Sequence, residues 1–117
     1  MCLLGLNNVF LFVLVPPYFV ITPSNQTVIL YKNLHLSCVP RGSPTPHILW
    51  YHGNTLLSNS STVYLGGDGS LNITSVETAN AGLYECRIKN VAGIKTAVVF
   101  VDVHGKGVVI CFREVSV

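Results

Sequence analysis

Whatever reactive chemistry this 117-residue chain has would be carried by four cysteines, four histidines and five carboxylates. Thiolates and imidazoles hold zinc when they cluster in pairs such as Cys-x-x-Cys or His-x-x-x-His. Neither pair occurs: Cys2, Cys38, Cys86 and Cys111 lie far apart, and His35, His47, His52 and His104 are scattered. The histidines are expected at the surface, and no metal or other cofactor is expected. General acid–base work needs carboxylates brought together, yet Asp68, Glu77, Glu85 and Asp102 share no strand at catalytic spacing. No serine stands in a Gly-x-Ser-x-Gly elbow. Gly66-Gly67-Asp68-Gly69 is glycine-rich but leads into an extended stretch, so it lacks the helix N-terminus that would cradle phosphate. A hairpin turn is the expectation there, and the chain is expected not to be an enzyme.

The charge balance excludes another class of function. Seven basic and five acidic residues leave a formal charge of +2, too small a field to draw in nucleic acid. Half the residues are hydrophobic, enough for one packed core at this length. The apolar residues crowd the ends, Val9 to Val15 and Val98 to Ile110, and the second run is broken by Asp102, His104 and Lys106. Neither reaches the roughly 20 residues that cross a bilayer, so no membrane span is expected. Met1 to Val15 resembles a signal segment but has no Lys or Arg ahead of its apolar stretch and no Ala-x-Ala after it. It is expected to belong to an upstream element of a longer product.

Elements that could position these residues emerge from Thr22 onward, where short alternating stretches are punctuated by Pro, Gly, Asn and Ser clusters. That pattern predicts an all-β chain. Leu34, Leu36 and Cys38 alternate with His35 and Ser37, which gives one apolar and one wet face. Ile48 and Trp50 repeat the pattern, as do Leu71 and Ile73 around Asn72. Tyr84, Cys86 and Ile88 alternate with Glu85, Arg87 and Lys89, so three charges should line the opposite, solvent-facing side. Asn90-Val91-Ala92-Gly93 predicts a tight turn using the tolerance of Asn and Gly for positive φ. The strand after it places Val99, Val101 and Val103 inward. Val76 to Ala81 has room for one short helical turn.

Two of the cysteines sit at inward strand positions flanking Trp50, with Cys38 twelve residues before it and Cys86 beyond it. Such a pair can form a disulfide packed on the indole, worth about 4 kcal/mol for a loop of this length. Two reduced core thiols are the alternative. Three Asn-x-Ser/Thr sequons, at Asn25, Asn59 and Asn72, point toward an oxidising, secretory compartment and so toward the disulfide. Asn72, between two inward residues, should face outward, and Asn59 lies in a Ser-rich loop. Cys2 and Cys111 have no comparable partner pattern.

Taken together, Cys38, Gly42-x-Pro44-x-Pro46, Trp50-Tyr51, Leu71-x-Ile73, Gly82-x-Tyr84-x-Cys86 and Asn90-x-Ala92-Gly93 resemble the immunoglobulin superfamily, and within it the I-set. The resemblance implies a Greek-key β-sandwich with an inter-sheet disulfide. It also implies a tyrosine corner, in which the Tyr84 hydroxyl bonds back to main chain near the preceding bend. The 48-residue separation of Cys38 and Cys86 is too short for the extra strands of a variable domain. Asn80 stands where the family usually has Asp, which removes the salt bridge that Asp commonly makes. Val15-Pro16-Pro17 is similar to the linkers in hemicentin-like arrays. The expected division is therefore an apolar segment and linker over 1–17, the domain over 18–104 and a tail outside the sandwich over 105–117.

What the resemblance implies is a non-catalytic module that binds or spaces other proteins in an extracellular matrix or adhesion protein. The alternative is a ligand-binding ectodomain of a cell-surface signalling receptor, with Arg41 to Pro46 and Asn90 to Gly93 as its contact loops. Either way the expected partners are neighbouring domains and matrix or cell-surface proteins, with neither nucleic acid nor a small-molecule substrate.

Overall fold

A computed structural model of the protein describes residues 13–105. Cys2, Cys111 and nearly all of the two end segments lie outside the described residues. Ten strands follow in order: β1 Val15–Ile21, β2 Gln26–Ile29, β3 Leu34–Leu36, β4 Val39–Ser43, β5 His47–His52, β6 Thr55–Leu56, β7 Val63–Leu65, β8 Leu71–Ile73, β9 Gly82–Asn90 and β10 Gly93–His104. The helical turn expected near Val76 to Ala81 is a single 3-10 turn, Thr78–Asn80.

One layer is a five-stranded sheet in the order β2-β10-β9-β5-β6. The other is built from β3-β8-β7 and the β1-β4 pair, which follow one another because only Ser37 and Cys38 separate β3 from β4. β9 runs antiparallel to both β5 and β10 and sets Cys86 between Trp50 and Ala97. β2 pairs with β10 in parallel, and only over Val101 to His104.

Alternation decides what is buried. Leu34, Leu36, Cys38, Leu71, Ile73, Val76, Tyr84, Cys86, Ile88 and Val101 are all at most 2 % exposed, and Trp50 and Val99 join them. Ile48 and Val103 are partly buried against this cluster. The β7–β8 hairpin closes through Gly66 to Ser70, with the Gly66 amide donating to the Ser70 carbonyl. Asp68 caps it by accepting from the Ser70 amide and hydroxyl, which holds the carboxyl below its usual range. Gly69 has φ +96°, and a Cβ there would lie 2.1 Å from the Cys38 carbonyl oxygen, so no other residue fits without moving β3–β4.

The β9–β10 turn departs from expectation. None of Asn90, Val91, Ala92 or Gly93 has positive φ. The Asn90 side chain makes the turn instead, its Oδ1 accepting from the Ala92 amide at 2.8 Å. The expected domain start at 18 is likewise corrected. Val15-Pro16-Pro17 belongs to β1, with Val15 paired to Ser43, because a strand carried at a sheet edge can include prolines. β10 ends at His104.

Candidate protein-binding surfaces

The residues that looked reactive in the sequence are held inside. Cys38 and Cys86 form a disulfide with Cα atoms 6.7 Å apart, bridging the two layers. Trp50 lies beside Cys86 in register and donates its indole N–H to the Gly69 carbonyl at 3.0 Å. The glycine turn and the indole therefore fix one another. Tyr84 donates its hydroxyl to the Asn80 carbonyl at 2.5 Å, and burial pushes that hydroxyl's pKa up to about 12. The Asn80 side chain turns inward on its own loop and accepts the Glu77 amide at 2.7 Å. A histidine expected at the surface belongs to this group. His52 is half-buried, stacks on Tyr84 with centroids 4.2 Å apart, and bonds the Ala81 carbonyl at 2.9 Å. Alternation alone could have placed His52 inward with Trp50, since Tyr51 separates them, although polarity argued against it.

Two surfaces remain exposed and shaped. The first is the outer face of the five-stranded sheet. The Glu85 carboxylate accepts from Arg87 at 2.7 Å, and the Arg87 guanidinium lies over the Tyr51 ring, 4.4 Å from its centroid. The expected charged row is thus partly neutralised and stacked, with Lys89 exposed at one end. Around it stand Leu49, Leu56, Leu83, Ile94, Val98 and Phe100, each more than a third exposed. So much apolar area on one sheet face exceeds what scattered surface hydrophobes explain.

The second surface is the end of the sandwich formed by the β4–β5 loop and the β9–β10 turn. Asn90 Nδ2 donates to the carbonyls of Val15 and Pro44, both at 2.9 Å, tying both loops to the start of β1. Gly42 allows this approach, since a Cβ there would stand 3.1 Å from Pro46 and the Val15 carbonyl and 3.2 Å from Asn90. A cleft of about 310 Å³ opens beside it, lined by Pro44, Thr45, His47, Lys89, Asn90 and Val91.

A paired Cys38–Cys86 on a buried Trp50, with Tyr84 closing the corner, agrees with comparison to known proteins: a family model described as immunoglobulin domain matches residues 16–90. The chain belongs to the immunoglobulin domain family. Its curated relatives include peroxidasin homolog from Mus musculus, 33% identical over 77% of this chain and 6% of that protein. They also include hemicentin-2 from Mus musculus, 37% identical over 74% of this chain and 2% of the relative. Vascular endothelial growth factor receptor 2 from Mus musculus is 35% identical over 69% of this chain and 6% of its own length. The chain spans only a few per cent of these relatives. Among solved structures it superposes on the titin M10–obscurin-like 1 immunoglobulin complex with a TM-score of 0.77 and 31% identity, covering 81% of this chain and 99% of that one. The relatives are extracellular-matrix or cell-surface proteins, and this immunoglobulin domain is assigned to the same compartment. No helix among the described residues is long and apolar enough to cross a membrane.

The three sequon asparagines occupy different settings in the immunoglobulin domain. Asn25 Oδ1 accepts the Phe100 amide at 2.8 Å, and Asn59 Oδ1 accepts the Leu65 amide at 2.7 Å, so each leaves its amide nitrogen outward of a turn. Asn72 is half-buried in a network. Its Oδ1 meets His35 at 2.6 Å, and its Nδ2, the atom a glycan would use, donates to Ser70 at 3.2 Å. Among the described residues no group of three His, Cys, Asp or Glu could hold a metal ion.

Proposed function

We propose that this immunoglobulin domain is a non-catalytic protein-binding and spacer module of an extracellular-matrix or adhesion protein, contacting partners through the outer face of the five-stranded sheet. The observation that carries this reading is the contrast between a sealed interior and that face, where Leu49, Tyr51, Glu85 and Arg87 surround an ordered, desolvated charge. Aromatic and arginine side chains in such settings are the usual anchors of protein interfaces. The likeness to hemicentin-2 supports the matrix assignment. Reactive side chains are engaged in structure rather than poised for substrate, which supports a non-enzymatic role, and the +2 charge supports protein rather than nucleic-acid partners. Asn25 and Asn59 are the proposed principal glycan acceptors, and Asn72 a lesser one because its Nδ2 is already bonded.

A second reading rests on the loop end. The cleft beside Asn90 carries Lys89 and His47 on an apolar floor and suits an acidic side chain of a ligand, in keeping with the likeness to a growth-factor receptor. Retention of the secreted domain on cell-derived matrix separates the two. Loss in Leu49→Asp and Arg87→Glu, with Lys89→Glu and Val91→Ser unaffected, is expected for the sheet face. The reverse pattern favours the loop end. Equal retention of all four variants overturns both.

A further inference from the structure

Along β10 the even-numbered residues direct their main-chain groups away from β9. The Phe100 amide is taken by Asn25, and the His104 carbonyl accepts from Leu30, both on the β2 side. β2 is short and pairs only with Val101 to His104. Above it, Ile94, Thr96 and Val98 point their amides and carbonyls outward, and no described residue bonds them on that side. β1 does not fill the gap. Pro16 and Pro17 lie where a Cβ on Gly93 would point, on the inward side of the strand and not along its edge. Ile94 and Val98 are each 58% exposed, and Thr96 between them is exposed too. An unpaired edge with exposed β-formers is a template for another strand.

We propose that a second copy of this chain adds to this edge, β10 against β10 and antiparallel, with Thr96 on the two-fold axis. That register is self-complementary. Each Ile94 faces Val98 of the copy, and Thr96 faces Thr96, so the three outward residues of both chains exchange all their main-chain hydrogen bonds. Lys95, on the other face, falls opposite Ala97 and not opposite its own counterpart. On the outer face Lys89 lies beside Ile94 and Glu85 beside Val98. One row across the dimer therefore runs Lys89, Ile94, then Val98 and Glu85 of the copy, which sets opposite charges on either side of each apolar pair. The fit also has the right length. Phe100 of the copy reaches only to Ala92, so the incoming hairpin ends where β2 begins and nothing in the fold must move.

Amide exchange read by NMR at low and high protein concentration tests this on the full chain, with glycans removed and any free thiol alkylated. The Ile94, Thr96 and Val98 amides should exchange quickly when dilute and about tenfold more slowly once nine-tenths of the chain is dimeric. Lys95 and Ala97, bonded to β9 in either state, should not change. Sedimentation velocity should show a monomer–dimer equilibrium in the same range. Ile94→Glu and Val98→Lys should each weaken it, and the two together should restore it by pairing opposite charges across the axis. A chain that stays monomeric at every concentration overturns the proposal. So does a dimer that leaves the three amides unchanged, or a monomer in which they are already protected by another segment of its own chain.

Discussion

β9 carries two opposite solutions on its two faces. Inward, Tyr84, Cys86 and Ile88 are completely buried, and each of the first two is held by a bond of its own, to Asn80 and to Cys38. Outward, Glu85, Arg87 and Lys89 are in partial or full contact with water and hold only one another and Tyr51. A single strand thus separates what keeps the domain folded from what it shows to partners. Substitutions on one face should move stability with little specific effect on binding, and substitutions on the other should do the reverse.

The largest effect expected is on the inward face. Replacing Cys38 and Cys86 together by Ala releases a 48-residue loop and leaves a smaller volume against Trp50, so unfolding in denaturant should lose about 4 kcal/mol. Trp50 fluorescence reports the transition directly. A loss below about 1 kcal/mol would show that the sandwich is held by its apolar core alone. Gly69→Ala comes next, at roughly 2–4 kcal/mol, since both its positive φ and the Cys38 carbonyl oppose a Cβ. Gly67→Ala, in the same turn with open space around it, should be nearly neutral and serves as the control.

Tyr84→Phe removes one buried hydrogen bond and should cost about 1–2 kcal/mol at neutral pH. Its signature lies in alkali. The hydroxyl ionises near 10 when unfolded and only near 12 when folded, so the folded state retains a proton that the unfolded state loses. The stabilisation is therefore complete below pH 10 and falls as pH rises toward 12. Stability measured from pH 8 to 11 should decline more steeply in the native chain than in Tyr84→Phe, and equal slopes would remove the assigned cause.

Much of the inward face was legible in the sequence because period-two alternation reports which side of a strand a residue takes. Leu34, Leu36, Trp50, Tyr84 and Val101 follow from it, and Cys38 and Cys86 followed from their position around Trp50. Alternation does not report which strand lies alongside, and that is where the reading fell short. Val15-Pro16-Pro17 has the composition of a linker, and only its pairing with β4 makes it strand. Asn90 stood out as a turn residue, but its two bonds to Val15 and Pro44 join positions far apart in the chain. The open edge of β10 depends on the four-residue length of β2, which no local pattern sets. The outer face was legible as charged but not as apolar, because Leu49, Val98 and Phe100 come from different strands and become neighbours only through register.

That register also sets the smallest expected change in stability. Arg87→Ala removes a partly exposed ion pair with Glu85 and a guanidinium–ring contact with Tyr51, each worth at most about 1 kcal/mol in such a setting. Water takes over both partners in the variant, so unfolding should shift by about 1 kcal/mol or less. Binding should respond more strongly, because in a complex the same guanidinium is already desolvated by Tyr51 and preset in direction by Glu85. A double-mutant cycle with Tyr51→Leu separates the two quantities: coupling small in denaturation but large in retention on matrix assigns Arg87 to recognition. Coupling of equal size in both measurements would make the pair one more element of the fold, and the division of labour between the two faces of β9 would fail at its centre.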